Sequence, residues 1–95
     1  MSTAYIIANV FVSNPEKYEE YRRFSTLAMR AHDVKVLVRG GKTEVLEGRD
    51  PGRTVVLQFT SMAAARAFYS SAQYRRARNA RERAAIMHMY IVEGV

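Results

Sequence analysis

Ala4-Tyr5-Ile6-Ile7-Ala8-Asn9-Val10-Phe11-Val12, followed directly by Ser13-Asn14-Pro15-Glu16, is the stretch on which the fold turns. The first nine residues are rich in β-branched and aromatic side chains, contain no breaker and are long enough for a central strand. The next four read as a helix start. Asn14 is the polar cap candidate, Pro15 takes the first helical position, where a missing N–H costs nothing, and Glu16 puts an acid in the first turn. A strand passing into a capped helix within four residues sets the alternation of the rest.

The helix is expected to run to about Ala31. At about 100° per residue, Tyr21, Phe24, Leu27, Ala28 and Ala31 make one stripe, expected to pack, with Glu19, Arg22, Arg23 and Arg30 opposite. Val34 to Arg39 reads as a strand ending at Gly40-Gly41, and Thr43 to Glu47 as its hairpin partner before Gly48. After a turn at Arg49-Asp50-Pro51-Gly52, Thr54 to Phe59 is a further buried strand, with Thr60 or Ser61 to cap the second helix. That helix, Met62 to about Ser70, is short and alanine-rich and carries Ala64, Ala65, Phe68 and Ala72 near one face. Ser70-Ser71 interrupts it, and a basic helical stretch runs from Gln73 to about Ala85. Met87 to Val92 closes as a strand, with Met87, Met89 and Ile91 on one side and His88, Tyr90 and Val92 on the other.

The order gives an α+β, ferredoxin-like βαββαβ sandwich, read as one domain over residues 1–95. Helices would cover one face of the antiparallel sheet. The apolar residues left on the other face predict a homodimer, two sheets meeting in a dimeric α/β barrel. A chain of 95 residues, hiding roughly 60–70% of its unfolded surface when alone, also gains from pairing.

Composition narrows the function classes. Hydrophobic residues at 48% and charged residues at 25% describe a globular chain rather than a disordered one. The absence of cysteine removes disulfides, thiolate metal ligands and a cysteine nucleophile together. With no basic leader and no apolar run near the ~18 residues that a bilayer needs, the expected location is cytoplasmic, away from the membrane. Net charge is +6, and twelve of the fifteen cations are arginine, which raises nucleic acid, an anionic ligand or internal ion pairs as explanations.

Several separated blocks, Leu37-Val38-Arg39-Gly40-Gly41, Glu44-Val45-Leu46-Glu47-Gly48, Val55-Val56-Leu57-Gln58-Phe59, Ala65-Arg66-Ala67-Phe68-Tyr69-Ser70-Ser71, Tyr74 and Val92-Glu93-Gly94, resemble the bacterial family catalogued as domain of unknown function 1330. The resemblance spans nearly the whole chain and implies a dimeric α+β barrel, shared more distantly with small monooxygenases, muconolactone isomerases and chlorite dismutase-like haem proteins. It implies no activity, because one architecture carries unrelated chemistries. Two departures stand out. His32-Asp33-Val34 occupies the place of the family's glycine pair, so a differently shaped start to the second strand is expected. Ala72 replaces a proline, so a softer break between the helical segments is expected.

Four residues are the candidate ligand contacts. His32 precedes a strand at the expected mouth of the sheet and could act as acid, base or ligand. Arg39 beside a glycine turn could present its planar fork to a carboxylate or phosphate, although pairing with Glu44 or Glu47 across the hairpin is the favoured reading. Tyr69 and Tyr74 flank the serine loop and could tip an apolar pocket with hydroxyls. His88 is a weaker candidate, and no metal-ligand spacing or cofactor motif is present. The arginines from Arg75 to Arg83 spread around their helix, with Glu82 placed to pair with Arg75 and Arg78, which disfavours nucleic acid. Two readings from different classes remain: a small binding protein for an anionic or aromatic metabolite, and a cofactor-independent monooxygenase or isomerase acting on a small aromatic or lactone. A closed pocket of roughly a few hundred Å³ around His32, Arg39 or Tyr69 would favour the second.

Overall fold

The computed structural model describes residues 2–95. Strand β1 (Ala4–Val12) leads to helix α1 (Pro15–Ala31), strands β2 (Lys35–Arg39) and β3 (Arg53–Phe59), helices α2 (Met62–Ser70) and α3 (Ala72–Ala80), and strand β4 (Ala85–Glu93). The four strands form one antiparallel sheet in the order β2-β3-β1-β4, with β1 central and bonded on both sides. This is the α+β, ferredoxin-like plan.

Local chemistry fixes the helix ends. The Asn14 side chain accepts from the Lys17 N–H, and Ser61 caps α2 by accepting from the Ala64 N–H. Ser71 ends α2 in extended conformation and caps α3 by accepting from the Tyr74 N–H. One serine therefore makes a sharp break without proline, where a soft one was expected. At the start of β2, Asp33 takes φ +51° and the Val34 N–H closes onto the Met29 carbonyl, so an aspartate fills the left-handed position that ends α1.

Two expectations fail. Thr43 to Glu47 is not a strand: β2 pairs only with β3, and residues 41–52 form an exposed connection with Leu46 87% accessible. The outer edge of β2 stays unpaired, and Val45 and Leu46 do not add to it. The connection closes at Gly52, where φ is +70° and a Cβ would lie 2.5 Å from the Val10 carbonyl oxygen. The packed stripe of α1 is also rotated, comprising Tyr18, Tyr21, Ser25, Ala28 and Met29, while Leu27 is 55% exposed. The buried set follows i, i+3, i+7, i+10 and i+11 spacing from Tyr18. Its one polar member, Ser25, donates to the Arg22 carbonyl. Helix α3 ends at Ala80, and β4 starts two residues earlier than its pattern suggested.

Alternation along the strands assigns the faces. Ala4, Ile6, Ala8 and Val10 of β1 are buried beneath the helices beside Leu57 and Phe59, with Met87, Met89 and Ile91 of β4 in register. Phe68, fully buried, joins α2 to the sheet and to α3, with ring centroids 5.4 Å from Phe59 and 4.8 Å from Tyr74. The opposite face carries no helix. Across it, Val38, Val56, Ile7 and Tyr90 lie in one row through all four strands, with Phe11 opposite Ile86 nearer the edge. Among the described residues no helix is long and apolar enough to cross a membrane.

Truncating Phe68 to Ala removes the ring that three elements share and is expected to cost about 3–5 kcal/mol, read as a lowered midpoint in urea denaturation.

Candidate functional site

Arg39 would face the open side of the sheet if β2 ran in regular register. A β-bulge between Val36 and Val38 sets Arg39 opposite Val55, whose side chain shares the helix face with Ala8. The extra residue thus turns a guanidinium to the inner side. There Nη2 of Arg39 donates to Thr26 Oγ1 at 2.8 Å, Ser25 Oγ at 3.3 Å and the Arg22 carbonyl at 3.3 Å. Arg39 is therefore anchored on α1, and the expected pairing with Glu44 or Glu47 does not form. The only ion pair among the described residues joins Arg22 to Glu19, at 3.0 Å.

Arg53 points the same way, since it opposes Val10. Its Nη2 donates to the Arg39 carbonyl at 3.4 Å, and its guanidinium lies 5.9 Å from the Tyr18 ring centroid. Gly40, at φ +73°, makes room for it, because a Cβ there would collide with that guanidinium. Arg22, Arg39 and Arg53 thus gather at one place with a single carboxylate, Glu19, among them. Burial first, and then the nearby Arg22 charge, lowers the Arg39 pKa. The Nε atoms of Arg22 and Arg53 are buried without a partner.

These arginines stand at the mouth of a slot between the sheet and α1 and α3. Its floor is Ile6, Ala8 and Val10, and its walls include Met29, Met87, Met89, Tyr21 and Tyr74. The free space inside is about 20 Å³, enough for about one water molecule. Outside the mouth, a shallow groove of about 470 Å³ runs along Arg22, Thr26, Leu27, Arg30 and Arg39.

Within the slot the hydroxyls of Tyr21 and Tyr74 are 2.7 Å apart, and the Tyr74 hydroxyl lies 3.9 Å from Met89 Sδ. Burial is the main reason that both phenols ionise above their ordinary range. For Tyr21 the neighbouring Tyr74 adds to the effect, while for Tyr74 the hydrogen bond from Tyr21 and the nearby Arg81 oppose it. Both are neutral hydroxyls at physiological pH, suited to donating hydrogen bonds and poorly suited to removing protons.

Of the four sequence candidates, Arg39 and Tyr74 line this slot. His32 does not line it. It ends α1 with its ring edge-on to Phe68, at 5.8 Å, and with Nε2 3.4 Å from Gln73 Oε1. Tyr69 packs its ring 5.6 Å from Tyr74, on the far side from the slot, beneath the Arg78 guanidinium at 4.5 Å. Arg22, Arg53 and Tyr21 were missed. The glycine beside Arg39 was the one available signal, since it is Arg53 that needs it. The arginines after Tyr74 do not pair with Glu82. Arg76 lies over Phe24, Arg78 over Tyr69 and Arg81 over Tyr21. No cluster of three metal-ligating side chains occurs among the described residues.

Residues 3–95 match the family described as Domain of unknown function (DUF1330). No curated protein sequence matches the chain. Among solved structures, a protein of unknown function from Rhodopseudomonas palustris superposes with a TM-score of 0.77 at 18% identity, covering 99% of this chain and 83% of that one. A candidate antibiotic biosynthesis monooxygenase from Nitrosomonas europaea gives 0.62 at 14% identity, over 98% and 90% of the two chains. A cofactor-independent oxygenase from Streptomyces nogalater gives 0.62 at 12% identity, over 97% and 92%. At such identities the likeness is one of fold.

Because Tyr21 and Tyr74 hold their protons more tightly folded than unfolded, the native state binds more protons once the pH passes the ordinary tyrosine value of about 10. Stability is therefore full below that pH and declines as it rises further. Ultraviolet difference titration is expected to show two of the six tyrosines ionising late, together with unfolding.

Proposed function

The chain belongs to the DUF1330 family, and from that footing we propose that it is a homodimeric, cytoplasmic binding protein for a small anionic metabolite. The observation that carries this reading is the convergence of Arg22, Arg39 and Arg53 at the slot mouth, where the lining holds no carboxylate and only Arg22 has an ion-pair partner, Glu19, among the described residues. Like charges held together in a partly buried place cost free energy that an anion would recover, and a guanidinium already fixed by three hydrogen-bond acceptors loses little entropy on binding. Two oxygens of a carboxylate or phosphate match the remaining donors.

Dimerisation rests on the uncovered sheet face. The row Val38, Val56, Ile7 and Tyr90, with Val92 beside it and the Phe11–Ile86 pair beyond a polar row of Thr54, Asn9 and His88, leaves large apolar side chains in water, which soluble monomers seldom do on this scale. A second copy facing it would cover it by twofold symmetry.

The other reading, a cofactor-independent monooxygenase or isomerase working on a small aromatic or lactone, draws on the oxygenase among the fold neighbours. It stands second for two reasons. The slot lining holds no histidine or carboxylate to act as base, and its interior of about 20 Å³ admits no aromatic ring without rearrangement.

Two experiments test the proposal. In an NMR titration with acetate and with inorganic phosphate, shifts should centre on Arg22, Arg39 and Arg53. Arg53→Gln and Arg39→Gln should each weaken binding roughly tenfold or more, as loss of a charge-assisted hydrogen bond does. An absence of shifts there with either anion at millimolar concentration would refute anion binding. In light scattering the protein should show twice the chain mass at micromolar concentration, and Tyr90→Lys, which places a cation in the exposed row, should yield a folded monomer. A monomeric wild-type protein would remove the dimer.

A further inference from the structure

The slot behind the arginines carries a second recognition element. Tyr21 and Tyr74 between them own two hydroxyl protons and share one strong hydrogen bond, at 2.7 Å. The other proton has only the Met89 sulfur, at 3.9 Å and a weak acceptor. Both side chains are buried, Tyr74 at 1% exposure, and both line the slot. A buried hydroxyl proton without a good acceptor is costly, and native structures seldom leave one so. An oxygen atom arriving through the mouth would satisfy it.

Resting on the anion-binding reading above, we infer that the ligand is a short carboxylate bearing a second oxygen along its chain, an oxo or hydroxy acid. Its carboxylate lies on Arg39 and Arg53, and its second oxygen accepts the free hydroxyl proton of the Tyr21–Tyr74 pair. The high pKa of both phenols agrees with a donor role. Three methionines, Met29, Met87 and Met89, form much of the wall between the two polar ends. Their unbranched thioethers change rotamer readily, so a narrow slot can open to a short carbon chain while remaining closed to a rigid ring. Plain fatty acids of equal length would leave the hydroxyl proton unmet. Recognition would then be set by a polar group that the right ligand satisfies and its analogue does not, the arrangement that discriminates best between near-isosteric ligands.

Matched pairs test this: 2-oxobutanoate against butanoate and 4-oxopentanoate against pentanoate, titrated by NMR or calorimetry into the intact protein. At least one oxo acid should bind roughly fivefold or more tightly than its partner. The double variant Tyr21→Phe/Tyr74→Phe should erase that difference, whereas either single variant keeps one hydroxyl proton without a good acceptor and should retain it. Arg39→Gln should weaken all four. Near-UV circular dichroism checks that each variant is folded, and should the double variant misfold, the matched pairs on the wild-type protein still decide the matter. Equal affinity within both pairs, with Arg39→Gln still weakening binding, would overturn the oxo-acid inference and leave the anion site standing. A double variant that keeps the preference for the oxo acids would overturn it too. Failure of all four acids to bind would remove both readings.

Discussion

A four-stranded sheet has two faces, and this chain supplies helices for only one. The central strand makes the constraint visible, because it is mostly apolar on both sides: Ala4, Ile6, Ala8 and Val10 point to the helices, and Tyr5, Ile7 and Phe11 point away, with Asn9 the one polar residue among them. On the helix side, the two alanines keep the floor low, so that Phe59, Phe68, Tyr21 and Tyr74 can be stacked above it. That aromatic layer fills the interior so completely that only the narrow slot remains. On the other side nothing within the protomer answers the apolar row, and the proposed dimer follows from this mismatch.

The arginines obey a different rule. Twelve of them, with one ion pair among the described residues, cannot be understood as a salt-bridge network. Several rest on aromatic rings, where the planar cation keeps a favourable electrostatic contact, with Nε of Arg78 and of Arg81 buried against the fold. Arg39 and Arg53 differ because the sheet turns them inward. Their donors meet carbonyls and hydroxyls, which orient a guanidinium without neutralising it. Positioned charge without a counter-charge is what separates these two from the solvated arginines of α3.

Local signals in the sequence were reliable where the physics is local. The Asn14 cap, a cap at Thr60 or Ser61, the alternation of β4 and the place of the break near Ser71 each depend on a few adjacent residues and were readable, although the break is sharper than expected. The rotation of α1 was not, because Phe24 and Leu27 have the hydropathy of core residues and only the sheet beneath the helix decides that Tyr18, Ser25 and Met29 go inside. The Thr43–Glu47 strand failed although the outer edge of β2 is open: the hairpin read at Gly40-Gly41 does not form, and β2 pairs instead with β3 across the longer 41–52 connection. The candidate site was half legible. Arg39 and Tyr74 could be singled out, but the bulge that aims Arg39, and the approach of Arg22 and Arg53 from α1 and β3, depend on pairing register, which no local pattern carries.

The same strand serves the slot and the open face, one residue apart. Ile6, Ala8 and Val10 form the slot floor, while Ile7 lies in the apolar row on the reverse side. Because β1 is hydrogen-bonded to β3 and to β4 along most of its length, that floor is the least deformable part of the molecule. The rest of the lining is another matter: it consists of side chains from α1 and α3, joined through the Tyr21–Tyr74 hydroxyl pair, and of the Met87 and Met89 thioethers, which β4 contributes from the same sheet. Widening the slot therefore calls on side-chain rotamers and on α1 against α3, not on the β1 backbone. Were a second copy to cover the open face, as proposed, such widening would leave the backbone of that face in place.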